Sequence, residues 1–159
     1  MKHLFRNLVL IAVQVFVMAA VVRGQTQPIT ITISTSQTVV KAGAPVLLHI
    51  VLANLSQQSI TVFKSPGWGS AQQHYFISVS DSVGNETSNG DYILKKEGRA
   101  GSRIMVTLKP GDQLEEDATI SKMFDLKSSG IYQIFVKRQS PLDPDVFIQS
   151  NLISITVTD

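Results

Sequence analysis

From residue 28 onward the chain alternates apolar and polar side chains with a period of two, which is the pattern of half-buried β-strands. The first such run carries an isoleucine at every second position, at Ile29, Ile31 and Ile33. The next run, over 46–54, is apolar on both faces, which predicts a central strand. The first run therefore predicts a half-buried strand, and the second a strand that is partly covered on both sides.

Short runs of the same kind continue to the end of the chain, separated by turn residues at intervals of roughly 8–12 residues. We predict further strands at 59–63, 74–80, 104–108, 114–120, 131–138, 146–150 and 151–158. The segment 39–45 predicts a turn, and 123–126 predicts a helical turn. No segment of helical period accompanies them. The predicted fold class is therefore all-β, an immunoglobulin-like antiparallel β-sandwich of about 7–9 strands.

Two short motifs between 104 and 138 predict a turn and a corner tyrosine of the sandwich. Pro110-Gly111 predicts a turn between two strands, because proline lacks an N–H and glycine accepts a positive φ. Gly130 and Tyr132 open an alternating run, which is where immunoglobulin-like sandwiches place a corner tyrosine. We therefore predict that the Tyr132 ring is buried and that its hydroxyl bonds to the backbone within 126–129.

The segment 1–24 has the layout of a signal peptide. Basic residues precede an apolar run over 8–22, which is shorter than the ~20 residues of a membrane span. Cleavage after Gly24 is favoured, cleavage after Ala20 is the second choice, and an uncleaved membrane anchor is the alternative. We expect a single exported domain, 25–159, in the periplasm or outside the cell, with no membrane contact after cleavage.

Removal of the signal peptide changes the charge balance. The full chain has 14 Lys+Arg against 12 Asp+Glu, and three of the basic residues lie in the signal peptide. The mature chain therefore has 11 basic against 12 acidic residues, a net charge of −1, which predicts no nucleic-acid or anionic-membrane partner. The absence of cysteine excludes thiol nucleophiles and cysteine-based zinc sites.

The residue types that carry catalysis form no recognisable constellation. The mature chain has two histidines, His49 and His74, and neither lies beside a nucleophile motif, so we predict a non-catalytic protein without cofactors or metal. The acidic run 115–117 is interpreted as a solvated strand edge, because consecutive strand residues face opposite sides. Asp143 and Asp145 are compatible with a calcium site, and turn chemistry explains them equally well.

Binding is assigned to two loops, 64–73 and 87–102. Trp68 lies between two glycines, which favours an exposed contact residue; the alternative is that its ring plugs one end of the sandwich. The second loop has basic candidates among glycines, namely Lys95, Lys96 and Arg99. Asn54 and Asn85 each begin a glycosylation acceptor pattern, and the alternative is that they serve as turn residues.

Several short motifs, taken in order, resemble those of exported bacterial immunoglobulin-like modules. They are Ala42-Gly43, Asn54-Leu55-Ser56, Ile60-Thr61-Val62, Tyr75 to Asp81 with Gly84, Leu108 to Gly111, Asp125-Leu126 and Gly130-Ile131-Tyr132. Over 38–138 the chain resembles the BsuPI-type proteinase-inhibitor domain and the β-sandwich domain that precedes the catalytic domain of deuterolysin-like metallopeptidases. These motifs are turns and core positions, so the resemblance implies a fold, and no inhibitory residue carries over.

Two functions remain as hypotheses. The first is a non-catalytic exported interaction module that binds another protein through the loops at the ends of the sandwich. The alternative is a secreted or periplasmic proteinase inhibitor of the BsuPI-like kind. An inhibitor loop must be rigid, whereas the glycines and basic residues of 87–102 indicate a flexible, cleavable segment. This composition favours the interaction module.

Overall fold

The computed structural model describes residues 28–64, 74–87 and 104–159. These residues form ten strands and one 3₁₀ turn at Ile120–Lys122. The strands are β1 (Ile29–Ser34), β2 (Val39–Lys41), β3 (Leu47–Asn54), β4 (Ile60–Lys64), β5 (Phe76–Asp81), β6 (Ile104–Leu108), β7 (Gln113–Thr119), β8 (Gly130–Gln139), β9 (Phe147–Gln149) and β10 (Ile153–Thr158). The strand runs predicted from alternation are all present, with ends shifted by at most two residues.

The strands assemble into two sheets and a ribbon. The three-stranded sheet has the order β1-β3-β7, so β3 is central, as its two apolar faces predict. The five-stranded sheet has the order β2-β10-β8-β5, with β9 also paired to β8. Strands β4 and β6 form a separate antiparallel ribbon. Within the described residues this is an all-β sandwich.

The core lies between the inner faces of the two sheets. Fully buried side chains on the three-stranded sheet come from alternate positions of β1 and β3, including Ile29, Leu48, Ile50 and Leu52. They meet the inward row of β8, which consists of Tyr132, Ile134, Val136 and Arg138. This alternation buries the branched aliphatic side chains that fill the interior, at ~1.5–3 kcal/mol for each fully buried side chain.

Two local predictions are wrong. Residues 39–41, predicted as part of a turn, form β2, which pairs in parallel with β10 and buries Val40. The pairing joins segments more than a hundred residues apart, so local sequence carries no sign of it. The helical turn begins at Ile120 rather than at 123, because the fully buried Ile120 side chain and its N–H bond to Val46 hold it against β3.

The outer edge of β1 is closed by a side chain rather than by a strand. Asn151 Oδ1 accepts from the Ile33 N–H at 2.8 Å, and Asn151 Nδ2 donates to the Ile33 carbonyl at 3.1 Å. The amide therefore reproduces the two hydrogen bonds that a neighbouring strand would make, which protects an exposed edge. In the described part of the chain, no helix has the length and apolar character needed to cross a membrane.

Candidate functional site

The tentative binding residues from the sequence lie outside the described residues. This applies to Trp68 and to Lys95, Lys96 and Arg99. The described strand ends beside those segments are Lys64 of β4 and Ile104 of β6, which are Cα partners in the ribbon. Lys64 and Ile104 therefore lie side by side at one end of the β4–β6 ribbon.

The corner tyrosine has the geometry that the Gly130–Tyr132 motif predicts. The Tyr132 side chain is buried, with 5% of the residue exposed, and its hydroxyl donates to the Ser128 carbonyl at 2.9 Å. A Cβ at Gly130 would lie 4.0 Å from the Tyr132 ring, an ordinary packing distance. Tyr132 is therefore a structural residue that fastens the 126–129 turn to the start of β8.

The Pro110-Gly111 turn also has a structural role. Gly111 adopts a φ of 87°, as predicted for a glycine turn, and its N–H donates to the Asn54 carbonyl at 2.8 Å. The Asn54 N–H in turn donates to the Asp112 carbonyl at 3.0 Å. These two bonds join the β6–β7 turn to the end of β3.

The acceptor pattern at Asn54 is a structural feature, and the glycosylation interpretation is wrong there. Asn54 is fully buried, and its Nδ2 donates to the Gln58 and Leu108 carbonyls at 2.8 and 3.0 Å. A buried side-chain nitrogen that donates to two backbone carbonyls cannot carry a glycan without loss of both bonds. Asn85 is exposed and donates to Asp81, and this hydrogen bond is the main reason that the pKa of Asp81 is lowered.

A charged cluster, defined as Tyr75, Glu116 and Arg138, lies inside the sandwich. Glu116 is 8% exposed and Arg138 6%, and their Oε2 and Nη1 atoms are 4.0 Å apart. The solvated-edge interpretation is therefore wrong for Glu116. Its register partner is the fully buried Ile50, which places the carboxylate on the inner face of β7, while Glu115 and Asp117 face outward.

Arg138 connects the parts of the fold. Its Nη2 donates to the Phe63 carbonyl at 2.8 Å, which ties the β4–β6 ribbon to β8. Its guanidinium lies 4.9 Å from the centre of the Tyr75 ring. Burial raises the pKa of Tyr75 far above its usual value; the Arg138 charge opposes this rise and the Glu116 charge adds to it. The cluster therefore joins β7, β8, the ribbon and the approach to β5.

The two histidines do not form a catalytic site in the described residues. His49 lies between Ser34 and Asp117 in the register of the three-stranded sheet, on its outer face. Its Nδ1 donates to Asp117 Oδ1 at 2.9 Å, and its Nε2 is 3.9 Å from Glu115. Both ring nitrogens therefore face acids on β7 rather than Ser34. His74 stacks on Phe63, with ring centres 6.0 Å apart.

The calcium interpretation gains no support from the described residues. The Asp145 N–H donates to Asp143 Oδ1 at 3.0 Å, which is the local hydrogen bond of an aspartate turn. In these ranges, no group of three or more His, Asp or Glu side chains converges on a point where a metal ion could bind.

The strongest surface candidate is the outer face of the five-stranded sheet. We define the aromatic face as Phe76 of β5, Phe135 and Lys137 of β8, and Phe147 of β9. Phe76 is 64% exposed and Phe147 50%, and their rings meet edge to face with centres 5.6 Å apart. Lys137 Nζ lies 5.2 Å from the centre of the Phe135 ring. Three phenyl rings and one ammonium group are thus gathered on one solvent-facing sheet surface.

The strand register holds these four side chains in place. Lys137 is paired with Phe76 on one side and with Gln149 on the other, so β8 is the middle strand at this point. Phe147 lies two register positions further along β8, opposite Gln139 and on the same face. The sequence analysis did not single out Phe76, Phe135 or Phe147. The available signal was phenylalanine at outward positions of three strands, where polar residues are usual.

Comparison with known proteins gives no functional assignment. No protein-family model matches the chain, and no curated protein matches it. Among solved structures, it is similar to the CARDB domain of a Pyrococcus furiosus protein in complex with di-metal ions, at 11% identity over 82% of this chain and 87% of that chain, with a TM-score of 0.42.

Two further solved structures are similar at the same low level. A β-glucosidase from Listeria innocua in complex with glucose has 9% identity over 82% of this chain but only 16% of that chain, with a TM-score of 0.42. BslA, a bacterial hydrophobin, has 10% identity over 82% of this chain and 95% of that chain, with a TM-score of 0.38. Such likenesses carry no argument about function, so the site has to be judged on its own residues.

Proposed function

We propose that this chain is a non-catalytic interaction module, an exported immunoglobulin-like β-sandwich that binds another protein through its aromatic face. The observation that carries the proposal is the exposed, edge-to-face pair of Phe76 and Phe147. Large aromatic side chains are enriched at protein interfaces, and a contiguous exposed apolar patch on a soluble domain marks a binding surface.

The sheet supplies the rigidity that such a surface needs. The rings project from three hydrogen-bonded strands, so little conformational entropy is lost when a partner covers them. By contrast, the outer face of the three-stranded sheet mixes the polar Thr32, Ser34, His49 and Asp117 with the aliphatic Leu47 and Val51. The two solvent-facing surfaces therefore differ in chemistry, and the aromatic face is the one that gathers three phenyl rings.

The test is a binding comparison between two double variants of the full chain. Phe76→Ser with Phe147→Ser removes the aromatic pair, and Leu55→Ser with Val83→Ser removes two apolar side chains elsewhere that are also at least half exposed. The immobilised wild-type chain is used to retain proteins from a periplasmic extract. Each retained protein is purified and titrated by calorimetry against the wild type, the aromatic variant and the control variant. We expect at least about a tenfold weaker Kd for the aromatic variant, a ~1.4 kcal/mol loss, and no change for the control.

Equal affinity of the aromatic and control variants for every retained protein would contradict the proposal. Denaturant melts of both variants accompany the titration, so that loss of binding is not confused with loss of folding.

Export is a separate part of the proposal, and N-terminal sequencing of the exported protein tests it. Cleavage after Gly24 is expected, and a retained Met1 on membrane-bound protein would contradict it.

The proteinase-inhibitor alternative has no described residue in its favour. Its candidate loop residues lie outside the described ranges, and the BsuPI-like resemblance rests on turns and core positions. The tentative loop contacts at Trp68, Lys95, Lys96 and Arg99 remain part of the interaction proposal as a second binding region.

A further inference from the structure

We propose that the partner of the aromatic face is a polypeptide segment in which a carboxylate side chain is flanked by apolar residues, and that Lys137 selects the carboxylate. This inference rests on the proposed function, since it names the chemistry that the same surface recognises. It is carried by the position of Lys137 among the three phenyl rings.

In the described ranges, no carboxylate lies within ion-pair distance of the Lys137 ammonium group, which lies over the Phe135 ring. Glu86 accepts from Ser78, the register partner of Phe135, at 3.4 Å. An ammonium group on a phenyl ring keeps donors for a carboxylate, because the ring faces only one side of it.

The surroundings make the ammonium group selective. Lys137 is half-buried and its ammonium group lies over the Phe135 ring, so its position is largely set before a partner arrives. A partner that covers Phe76 and Phe147 also removes water from Lys137. An uncharged or cationic partner group would then leave the ammonium desolvated without compensation, which is costly, whereas a carboxylate compensates it.

Other occupants fit the aromatic face less well. A second copy docked face to face about a two-fold axis would bring the central Lys137 towards its own symmetry mate, and like charges repel there. The Phe76 and Phe147 rings are inclined at 68°, so they form a ridge rather than a flat platform for a sugar ring. One lysine gives an anionic lipid surface only ~1 kcal/mol of attraction. These occupants are outcomes of the test below.

The experiment is a selection of a random dodecapeptide phage library on the folded full chain. Peptides that bind wild type and not the Phe76→Ser, Phe147→Ser variant are expected to be enriched in Asp and Glu next to aromatic or aliphatic residues. Lys137→Glu should reverse the enriched charge to Lys and Arg. For a peptide selected on wild type, Lys137→Met should weaken binding about tenfold, because a charge-assisted hydrogen bond is lost.

The possible failures are distinguishable. This inference would be overturned if the peptides depend on both phenylalanines but are not enriched in acidic residues. It would also be overturned if selection on Lys137→Glu gives the same acidic enrichment as selection on wild type. The proposed function would stand in either case. The polypeptide partner and the proposed function would be overturned together if no selected peptide depends on the two phenylalanines. The same follows if the phenylalanines are instead needed for binding to a glycan array or to phosphatidylserine vesicles. Concentration-dependent dimerisation that Phe76→Ser abolishes would assign the face to a second copy.

Discussion

Tyr132 and Arg138 stand at the two ends of the inward-facing row of β8, and each places a polar group inside the core. Tyr132 satisfies its hydroxyl with one bond to Ser128, within the turn that precedes its own strand. Arg138 needs partners from three separate segments: Glu116 of β7, Phe63 of the ribbon and the ring of Tyr75. A neutral group is matched locally, and a charged group is matched only by tertiary structure.

The difference has an energetic consequence. Burying a hydroxyl that keeps one hydrogen bond is nearly neutral, whereas burying a guanidinium and a carboxylate costs several kcal/mol per ion before their attraction is counted. A buried ion pair therefore adds little net stability over an apolar pair, but it penalises any arrangement in which its partners are separated. We infer that the charged cluster fixes the relative positions of the ribbon and the two sheets.

The largest effect is expected for Arg138→Ala. It leaves the buried Glu116 without its guanidinium, the Phe63 carbonyl without its donor and the Tyr75 ring without its cation. Removal of one member of a buried pair costs ~3–5 kcal/mol in the free energy of unfolding, measured by denaturant melts. The matched control is Lys137→Ala, the adjacent outward cation, with an expected loss under about 1 kcal/mol. Similar losses for the two would mean that Arg138 is hydrated.

Tyr132→Ala tests the other end of the row and is expected to cost about as much, ~3–5 kcal/mol, for a different reason. It opens a cavity among buried aliphatic side chains as well as removing the bond to Ser128. Ile131→Ala is the control, because Ile131 is half exposed and adjacent in sequence. A loss for Tyr132→Ala no larger than for its control would show that the ring does not fill the core.

The sequence predicted one end of the row and missed the other for a physical reason. Gly130 and Tyr132 lie within one turn and strand, so the corner motif is visible to local reasoning, and its hydrogen bond lies within the predicted segment. Glu116 and Arg138 belong to different sheets, and their meeting depends on how the sheets pack. The acidic run around Glu116 was consequently interpreted as a solvated edge.

The two-residue alternation of the strands nevertheless contained part of the missing information. Glu116 faces the same side of its strand as Leu114 and Ala118, and Arg138 faces the same side as Ile134 and Val136. Both charges therefore stand on apolar rows, which indicates buried charges in need of partners. The identity of the partners, the parallel pairing of β2 and the grouping of phenylalanines from three strands all depend on long-range packing, which alternation alone cannot supply.

Replacing the ion pair by apolar residues separates stability from positioning. Glu116→Leu with Arg138→Met removes both charges, and we expect a free energy of unfolding within ~1–2 kcal/mol of wild type, because the desolvation cost disappears with the attraction. Either single substitution should be worse than the double variant. A double-mutant cycle in denaturant measures this coupling, and strictly additive losses would show that the two charges do not interact.

Alkaline pH should act on the charged cluster through Tyr75. Its pKa is raised in the folded chain, so the unfolded chain loses the phenolic proton first. Folding stability is then fully present below the ordinary tyrosine pKa of ~10 and falls above it, by up to ~1.4 kcal/mol per pH unit. Melts between pH 9 and about 11 should show this fall in wild type and a smaller one in Tyr75→Phe. Parallel curves for the two proteins would contradict the burial of this hydroxyl.

Tyr132→Phe should give the smallest effect, since it keeps the ring and removes only the bond to Ser128. The net loss of one hydrogen bond is ~1 kcal/mol, and more where the remaining carbonyl stays dry. Against a typical domain stability of ~5–15 kcal/mol, this loss leaves the chain folded. A loss as large as that of Tyr132→Ala would mean that the hydroxyl, and not the ring, holds the corner together. The two ends of β8 would then be alike, each depending on a polar bond rather than on packing.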